Sequence, residues 1–430
     1  LLNKELGDKT GEGKALRGMG FIYWSAGKYD NALKCHQEAL DIHRKLGSHE
    51  AEGFELVSLG EIYRKLGRYE EALSSLREAS RICDRLHNLS AQHVCKFNIG
   101  SVYRDMGDYQ ACLEYYLECW RIVKEEVGFG NLNLSGHLSV PSGIASTYWH
   151  LGNYQESLRY YGEALDISRG LNDKLEEGII LTSIASIHNL LGDHRKSIDY
   201  FEEALRVIRE IGDKAFVRKI LILIGDKYSQ NLKDYQRAVP YYLESLEIEK
   251  ESGPDEEIRG ILNRLGVANW NLGHYETALN YYQQALEICK MSGNRIGEGI
   301  TLSSIGVVYL SLSEHENALK CSVQALNILK ESGDQKSEGY ILNSIGNIHY
   351  EMGDHNTARK FYRHSLKIRE SLGDRKGEAW VLHNLGKVHM SLKNYEESEK
   401  HYKQALLLAE ELKEEELIRT SKLALSQISL

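Results

Sequence analysis

Proline is nearly missing: three in 430 residues, against 27% charged residues. That scarcity fits long helices joined by short turns. Positive charge is also in deficit. The net charge is -9 and the pI near 6.1, so nucleic acid is not expected as a partner, because non-specific binding to phosphates needs a basic surface. No stretch approaches the roughly 18 apolar residues of a membrane helix and no signal peptide is visible, so no membrane partner is expected and the reading is cytoplasmic. The seven cysteines include no C-x-x-C pair, and Cys35 and Cys321 fall at equivalent places in the pattern described below. They read as small buried hydrophobes in a reducing compartment, with no metal and no cofactor. No Gly-x-Ser-x-Gly, Walker or His-Glu-x-x-His spacing occurs, and carboxylates on a helical surface are solvated by default. The sequence therefore reads as no enzyme.

What the chain has is a period. A small residue recurs at Gly20, Gly60, Gly100, Ala145, Ala185, Gly225, Gly266, Gly306, Gly346 and Gly386, in steps of 40, 40, 45, 40, 40, 41, 40, 40 and 40. A fixed period in this range means stacked supersecondary units, not two or three globular domains. In the first copy Asp8 can cap a helix, with Glu12 near its positive end. Leu16, Met19, Gly20 and Tyr23 then share one face, and Gly27 ends the helix. Tyr29, Ala32, Leu33, His36, Ala39, Leu40 and Leu46 mark a second amphipathic helix, closed by Gly47. Gly20 and Ala32 predict a close crossing of the two. The ring opening the second helix recurs as Tyr69, Tyr109, Tyr154, Tyr235, Tyr275 and Tyr395, with His194, His315 and His355 as packing substitutes.

These residues resemble the tetratricopeptide repeat: Gly60 inside helix A, the turn Leu66-Gly67-Arg68-Tyr69, and the Ala72-Leu73 pair in helix B. The 40-residue copies with Gly-Asp-Arg-Lys-Gly-Glu between them, as at residues 373–378, are similar to those of Pins/LGN-type adaptors, kinesin light chains and sensor regions of signalling ATPases. The resemblance implies an all-α, right-handed superhelical solenoid of about ten hairpins. It also implies a concave groove, walled by helix A, that binds protein or peptide partners. The expected organisation is a tail of a preceding repeat at 1–8, repeats 1–3 at 9–127 and an inserted loop at 128–140. Repeats 4–10 follow at 141–413, then a capping helix at 414–430 whose Leu425 matches Leu385. The opening residues Leu1 to Asp8 read like Glu370 to Asp374, which predicts further domains of a longer chain. A regulatory or ligand-sensing arm of a larger signalling ATPase or protease is accordingly the alternative to a stand-alone scaffold.

Two irregularities stand out. The segment from Gly128 to Pro141 carries five extra residues and no apolar period; it is expected to be mobile, with the next helix starting near Ser139 because proline suits a first turn. One extra residue is placed near Pro254, and Pro240 is expected in the first turn of its helix.

By the resemblance, the groove takes the positions six and three before the small residue, and one, four and five after it. Its N-terminal end is basic, with Lys14, Arg17, Arg64, Lys65 and Arg104 against Glu61 and Asp105, and should prefer an acidic ligand end. Asn263 lies in a small, polar middle. Tyr340, Asn343, Asn347, Tyr350 and Trp380 make an aromatic, amide-rich C-terminal end, where Asn347 matches the backbone-holding asparagine of the LGN-type groove. Trp24, Trp149 and Trp270 each follow their small residue by four. Trp120 instead takes a core place in helix B. The wall tryptophans are either packing rings between A helices or ligand anchors.

Overall fold

The computed structural model describes residues 8–127, 138–250 and 256–428. Among these all regular structure is helical, in two compact units, residues 1–213 and 214–430. In the first, hairpins are formed by α1 (Lys9–Ser25) with α2 (Tyr29–Lys45), α3 (His49–Lys65) with α4 (Tyr69–Arg85), and α5 (Leu89–Met106) with α6 (Tyr109–Val127). The unit continues with α7 (Ser139–His150) on α8 (Tyr154–Leu171), and α9 (Lys174–Leu190) on α10 (His194–Ile211). The second unit opens with α11 (Lys214–Asp226), a π-helical turn (Lys227–Asn231) and α12 (Tyr235–Lys250). Its further pairs are α13 (Glu256–Asn271) with α14 (Tyr275–Ser292), and α15 (Arg295–Ser311) with α16 (His315–Ser332). Then come α17 (Gln335–Glu351) with α18 (His355–Leu372), α19 (Arg375–Ser391) with α20 (Tyr395–Leu412), and a last helix, α21 (Glu415–Ile428), on α20.

Many of the helices begin where an Asp or Asn side chain satisfies an orphan amide. Asp8 accepts from the Gly11 amide at 2.9 Å, and Asp374 accepts from Gly377 at 3.0 Å. Ends fall at residues in the left-handed region, as at Gly107 with φ 82°, which only glycine adopts without cost. Inside each hairpin the small residue of helix A faces a side chain sixteen or seventeen places later. Six copies put tyrosine there and the others His36, Leu76, Phe201 and Ser322. A Cβ on Gly346 would stand 2.6 Å from Tyr362 Cε1, so any side chain there must displace the ring. All seven cysteines are free thiols and six are buried.

Four expectations change. The extra residue of repeat 6 is not near Pro254, which lies outside the described residues. Tyr235 follows Gly225 by ten positions where Tyr29 follows Gly20 by nine, and the π-turn at Lys227–Asn231 absorbs the difference, as single inserted residues in helices commonly do. Pro240 is the sixth residue of α12, past the first turn, because Asp234 caps the helix start by accepting from Arg237 N at 3.1 Å. Met19 is 48% exposed, whereas its equivalents Leu59 and Ile99 are buried, since no described helix packs before α1. In α21 only Leu417 and Ser421 are buried, and Leu423 is 61% exposed. Helix α7 does start at Ser139; residues 128–137 lie outside those described.

Candidate functional site

The basic end of the predicted wall is largely used up by its own neighbours. Arg17 Nε donates to Glu55 Oε1 at 2.5 Å, and its guanidinium lies 4.3 Å over the Phe54 ring. Arg64 pairs with Asp105, which also takes Arg104 at 3.3 Å, and Arg104 reaches the Tyr116 hydroxyl at 3.3 Å. Only Lys14 and Lys65 of the predicted cations stand exposed. The expectation of a basic face thus reduces to two lysines, because opposite charges one repeat apart meet across adjacent A helices. A cavity of about 480 Å³ opens beside Arg17, lined by Glu50, Phe54, Val57 and Val94.

The tryptophans differ. Trp24 is half-buried against Phe21, ring centroids 6.3 Å apart, and its Nε1 has no partner among the described residues. Trp149 is 38% exposed, edge-on to His150 at 4.7 Å. Trp270 packs beside Tyr282 and Ile305, and its Nε1 donates to Ser311 Oγ at 2.8 Å. Trp380 of α19 packs on the core cluster that joins the last hairpin to Leu417 of α21. Trp120 is in the core, as expected.

Four predicted residues do converge. Trp270 of α13 and Tyr340, Asn343 and Asn347 of α17 line one cavity of about 300 Å³, completed by α15 and by Ser322 of α16. Successive A helices put the same positions side by side, so the cavity is shared by three repeats. Tyr340 is 53% exposed at its rim. The amides are held: Asn384 Nδ2 donates to Asn343 Oδ1 at 3.0 Å and lies 3.4 Å from Asn347 Oδ1. The Tyr362 hydroxyl donates to that same Asn347 oxygen at 2.7 Å. Asn347 is therefore oriented by two neighbours, leaving its amide group to donate outward. Tyr350 is not among the lining residues; its hydroxyl lies 3.0 Å from Ser391 Oγ and Lys387 Nζ sits 4.3 Å over its ring. Asn263 is half-buried with Oδ1 unpartnered among the described residues. Val307 and Leu310 fall at the wall positions one and four after Gly306, whereas Ser322 and Ser344 were not anticipated as lining residues. Comparing the copies column by column would have exposed Ser322, the one serine among the residues facing the small position.

Near the C-terminal end, burial and then Lys387 push the His383 imidazole down to about 4; its Nδ1 lies 3.0 Å from Ser421 Oγ of α21. The folded ring stays neutral where an unfolded one, titrating near 6.5, takes a proton. Stability is thus full above about pH 6.5 and falls as pH drops toward 4. At pH 5 the loss should be about 2 kcal/mol. Urea midpoints at pH 7.5 and 5 should show it, and His383→Gln should flatten the difference; an equal pH slope in the variant would refute the assignment.

A stack of helical hairpins with this crossing defines a helical-repeat protein. The tetratricopeptide-repeat profile matches residues 12–85, 137–210, 176–251, 216–291, 257–331, 297–371 and 337–411, with a related repeat profile at 95–122. The chain belongs to the tetratricopeptide-repeat family. Its fold is similar to that of the apo form of RapI, with TM-score 0.61 at 14% identity, covering 84% of this chain and 98% of that one. The apo form of the quorum sensor NprR from B. thuringiensis gives TM-score 0.46 at 15% identity, covering 81% and 98%. The C-terminal part of a repeat protein from Cytophaga hutchinsonii gives 0.48 at 16%, covering 63% and 93%. No curated protein sequence matches. Among the described residues no helix is long and apolar enough to cross a membrane, and no cluster of three or more His, Cys, Asp or Glu could hold a metal ion.

Proposed function

We propose that the chain is a docking scaffold that binds an extended peptide segment of a partner protein along its A helices, centred on repeats 7–9. The observation carrying this is the cavity that gathers Trp270, Tyr340, Asn343 and Asn347. A fixed indole and an exposed tyrosine supply the kind of amphipathic anchors that dominate protein interfaces. Oriented amides supply donors and acceptors matched to a peptide backbone, which carries one of each per residue. The free, mostly buried thiols suit a reducing compartment, in keeping with a cytoplasmic scaffold.

The test is a random-peptide display selected on the protein, followed by affinity and melting measurements on variants. Trp270→Ala should weaken the selected peptides by about 2 kcal/mol, with Asn347→Ala also weakening them. Charge reversal at Arg64 should act through stability, because its partner is Asp105. Trp380→Ala should chiefly loosen α21, whose Leu417 belongs to the cluster it packs on. If Trp270→Ala and Asn347→Ala leave affinity per folded molecule unchanged, the site is elsewhere.

A further inference from the structure

The cavity exists because one repeat lacks a ring that its neighbours carry. In repeat 7 the Tyr282 ring fills the space against Gly266, where a Cβ would approach its Cε1 to 2.6 Å. In repeat 9 Tyr362 fills the same space against Gly346, again at 2.6 Å. Repeat 8, between them, has Gly306 opposite Ser322. The three atoms nearest a Cβ there would be Ser322 Oγ at 2.7 Å, the Ala318 carbonyl oxygen at 3.2 Å and Ser322 N at 3.6 Å, none of them from a ring. Gly306 and Ser322 line the open cavity of about 300 Å³, larger than the roughly 150 Å³ apolar cavity that suffices to bind benzene.

The cavity's polar groups match a phenol more closely than a plain hydrocarbon. Ser322 is 1% exposed and its Oγ has no hydrogen-bond partner among the described residues. Burial of a hydroxyl without a partner is costly, so a ligand that supplies one is favoured. In repeat 7 the Tyr282 phenol lies beside Ser304 of the following A helix. The residue one repeat after Ser304 is Ser344, and it lines the cavity. Trp270, Leu310 and Tyr340 provide the apolar and aromatic walls.

We infer that the Ser322 cavity is a socket for an aromatic side chain of a bound peptide, tyrosine before phenylalanine, which takes the place of the ring this repeat does without. The inference names the anchor of the docking site proposed above and rests on that reading for its peptide, though not for the socket itself. The ring enters between Trp270 and Tyr340, and its hydroxyl meets Ser344 and Ser322 as Tyr282 meets Ser304.

The test measures p-cresol, toluene and cyclohexanol binding to the full chain by calorimetry and by ligand-observed NMR. Wild type should bind p-cresol more tightly than toluene, and cyclohexanol least. Ser322→Tyr restores the repeat's own ring. It should melt no lower than wild type and weaken p-cresol at least tenfold. Ser322→Leu, which copies Leu76 of repeat 2, fills the cavity without a ring and should give the same loss should the tyrosine variant fold poorly. Unchanged p-cresol affinity in a folded filling variant, or cyclohexanol binding as well as p-cresol in wild type, overturns the socket. If p-cresol binds as expected while display-selected peptides lack an aromatic residue or do not compete with it, the docking reading fails and the socket stands.

Discussion

Replacing Glu55 by alanine should cost about 3–5 kcal/mol, the penalty for leaving the partners of a buried ion pair uncompensated. Glu55 is fully buried and occupies a place that Ile180, Ile261, Ile341 and Val381 fill with apolar side chains in other copies. Its Oε1 takes Arg17 Nε at 2.5 Å and its Oε2 lies 2.7 Å from His36 Nδ1, while His43 Nε2 is 3.7 Å away. Three basic groups thus converge on one carboxylate between repeats 1 and 2. His43 is pushed below its usual range by burial, against the opposing pull of Glu55, so removing Glu55 should hold it neutral more firmly. Because repeat stability is a sum of local and nearest-neighbour contributions, the loss should appear as early opening of α1–α3 in hydrogen exchange, with repeats 8–10 unchanged. The combined variant Glu55→Ile, His36→Tyr and His43→Val, which copies the apolar repeats, should recover most of the loss, since well-packed hydrophobes often equal a buried ion pair. Arg17, 29% exposed at its side chain, can then turn to solvent. A Glu55→Ala variant losing less than about 1 kcal/mol would show that the cluster is not a stabilising network.

That cluster marks where sequence reading stopped short. The period, the small residue inside each A helix and the Asp or Asn caps were legible because each repeats, and repetition separates signal from chance. Helix boundaries at Lys9, Tyr29 and Ser139 followed from caps and proline chemistry. Exceptions within a column were harder to see, because Glu55 reads as one more surface acid and Ser322 as one more polar residue until their neighbours in space are known. The groove cations were legible as residues but not as spent charges: Asp105 falls on the same wall in the sequence, but its pairing with Arg64, 41 positions earlier, shows only in space. Counting only from one small residue to the next put the extra residue of repeat 6 after helix B. Counting to Tyr235 as well locates it in the π-turn. The wall tryptophans were read as either core or anchor. The structure holds Trp270 and Trp380 half-buried against core clusters while leaving Trp149 38% exposed.

Gly346→Leu should destabilise the second unit by more than about 3 kcal/mol, beyond the usual range for overpacking. A Cβ at Gly346 already meets Tyr362 Cε1 at 2.6 Å and Cδ1 at 2.7 Å. The ring is 2% exposed and its hydroxyl is tied to Asn347 Oδ1 at 2.7 Å, so it has little room to retreat. Alanine is a milder case. Copies 4 and 5 carry Ala145 and Ala185 at this place, opposite Tyr161 and Phe201, so a hairpin can be built around one methyl. Gly346→Ala should therefore cost about 1–3 kcal/mol and tilt Asn347 by moving its tyrosine partner. Gly306 supplies the internal control. No ring stands opposite it, Ser322 Oγ at 2.7 Å can rotate away and the Ala318 carbonyl oxygen at 3.2 Å need give by only a few tenths of an ångström, so Gly306→Ala should cost less than Gly346→Ala. Chemical denaturation of the three variants should rank them Gly306→Ala, Gly346→Ala, Gly346→Leu in rising cost. Equal costs for the two alanines would mean that repeat 8 packs as tightly as repeat 9, and the cavity that Gly306 and Ser322 line would lose its physical basis.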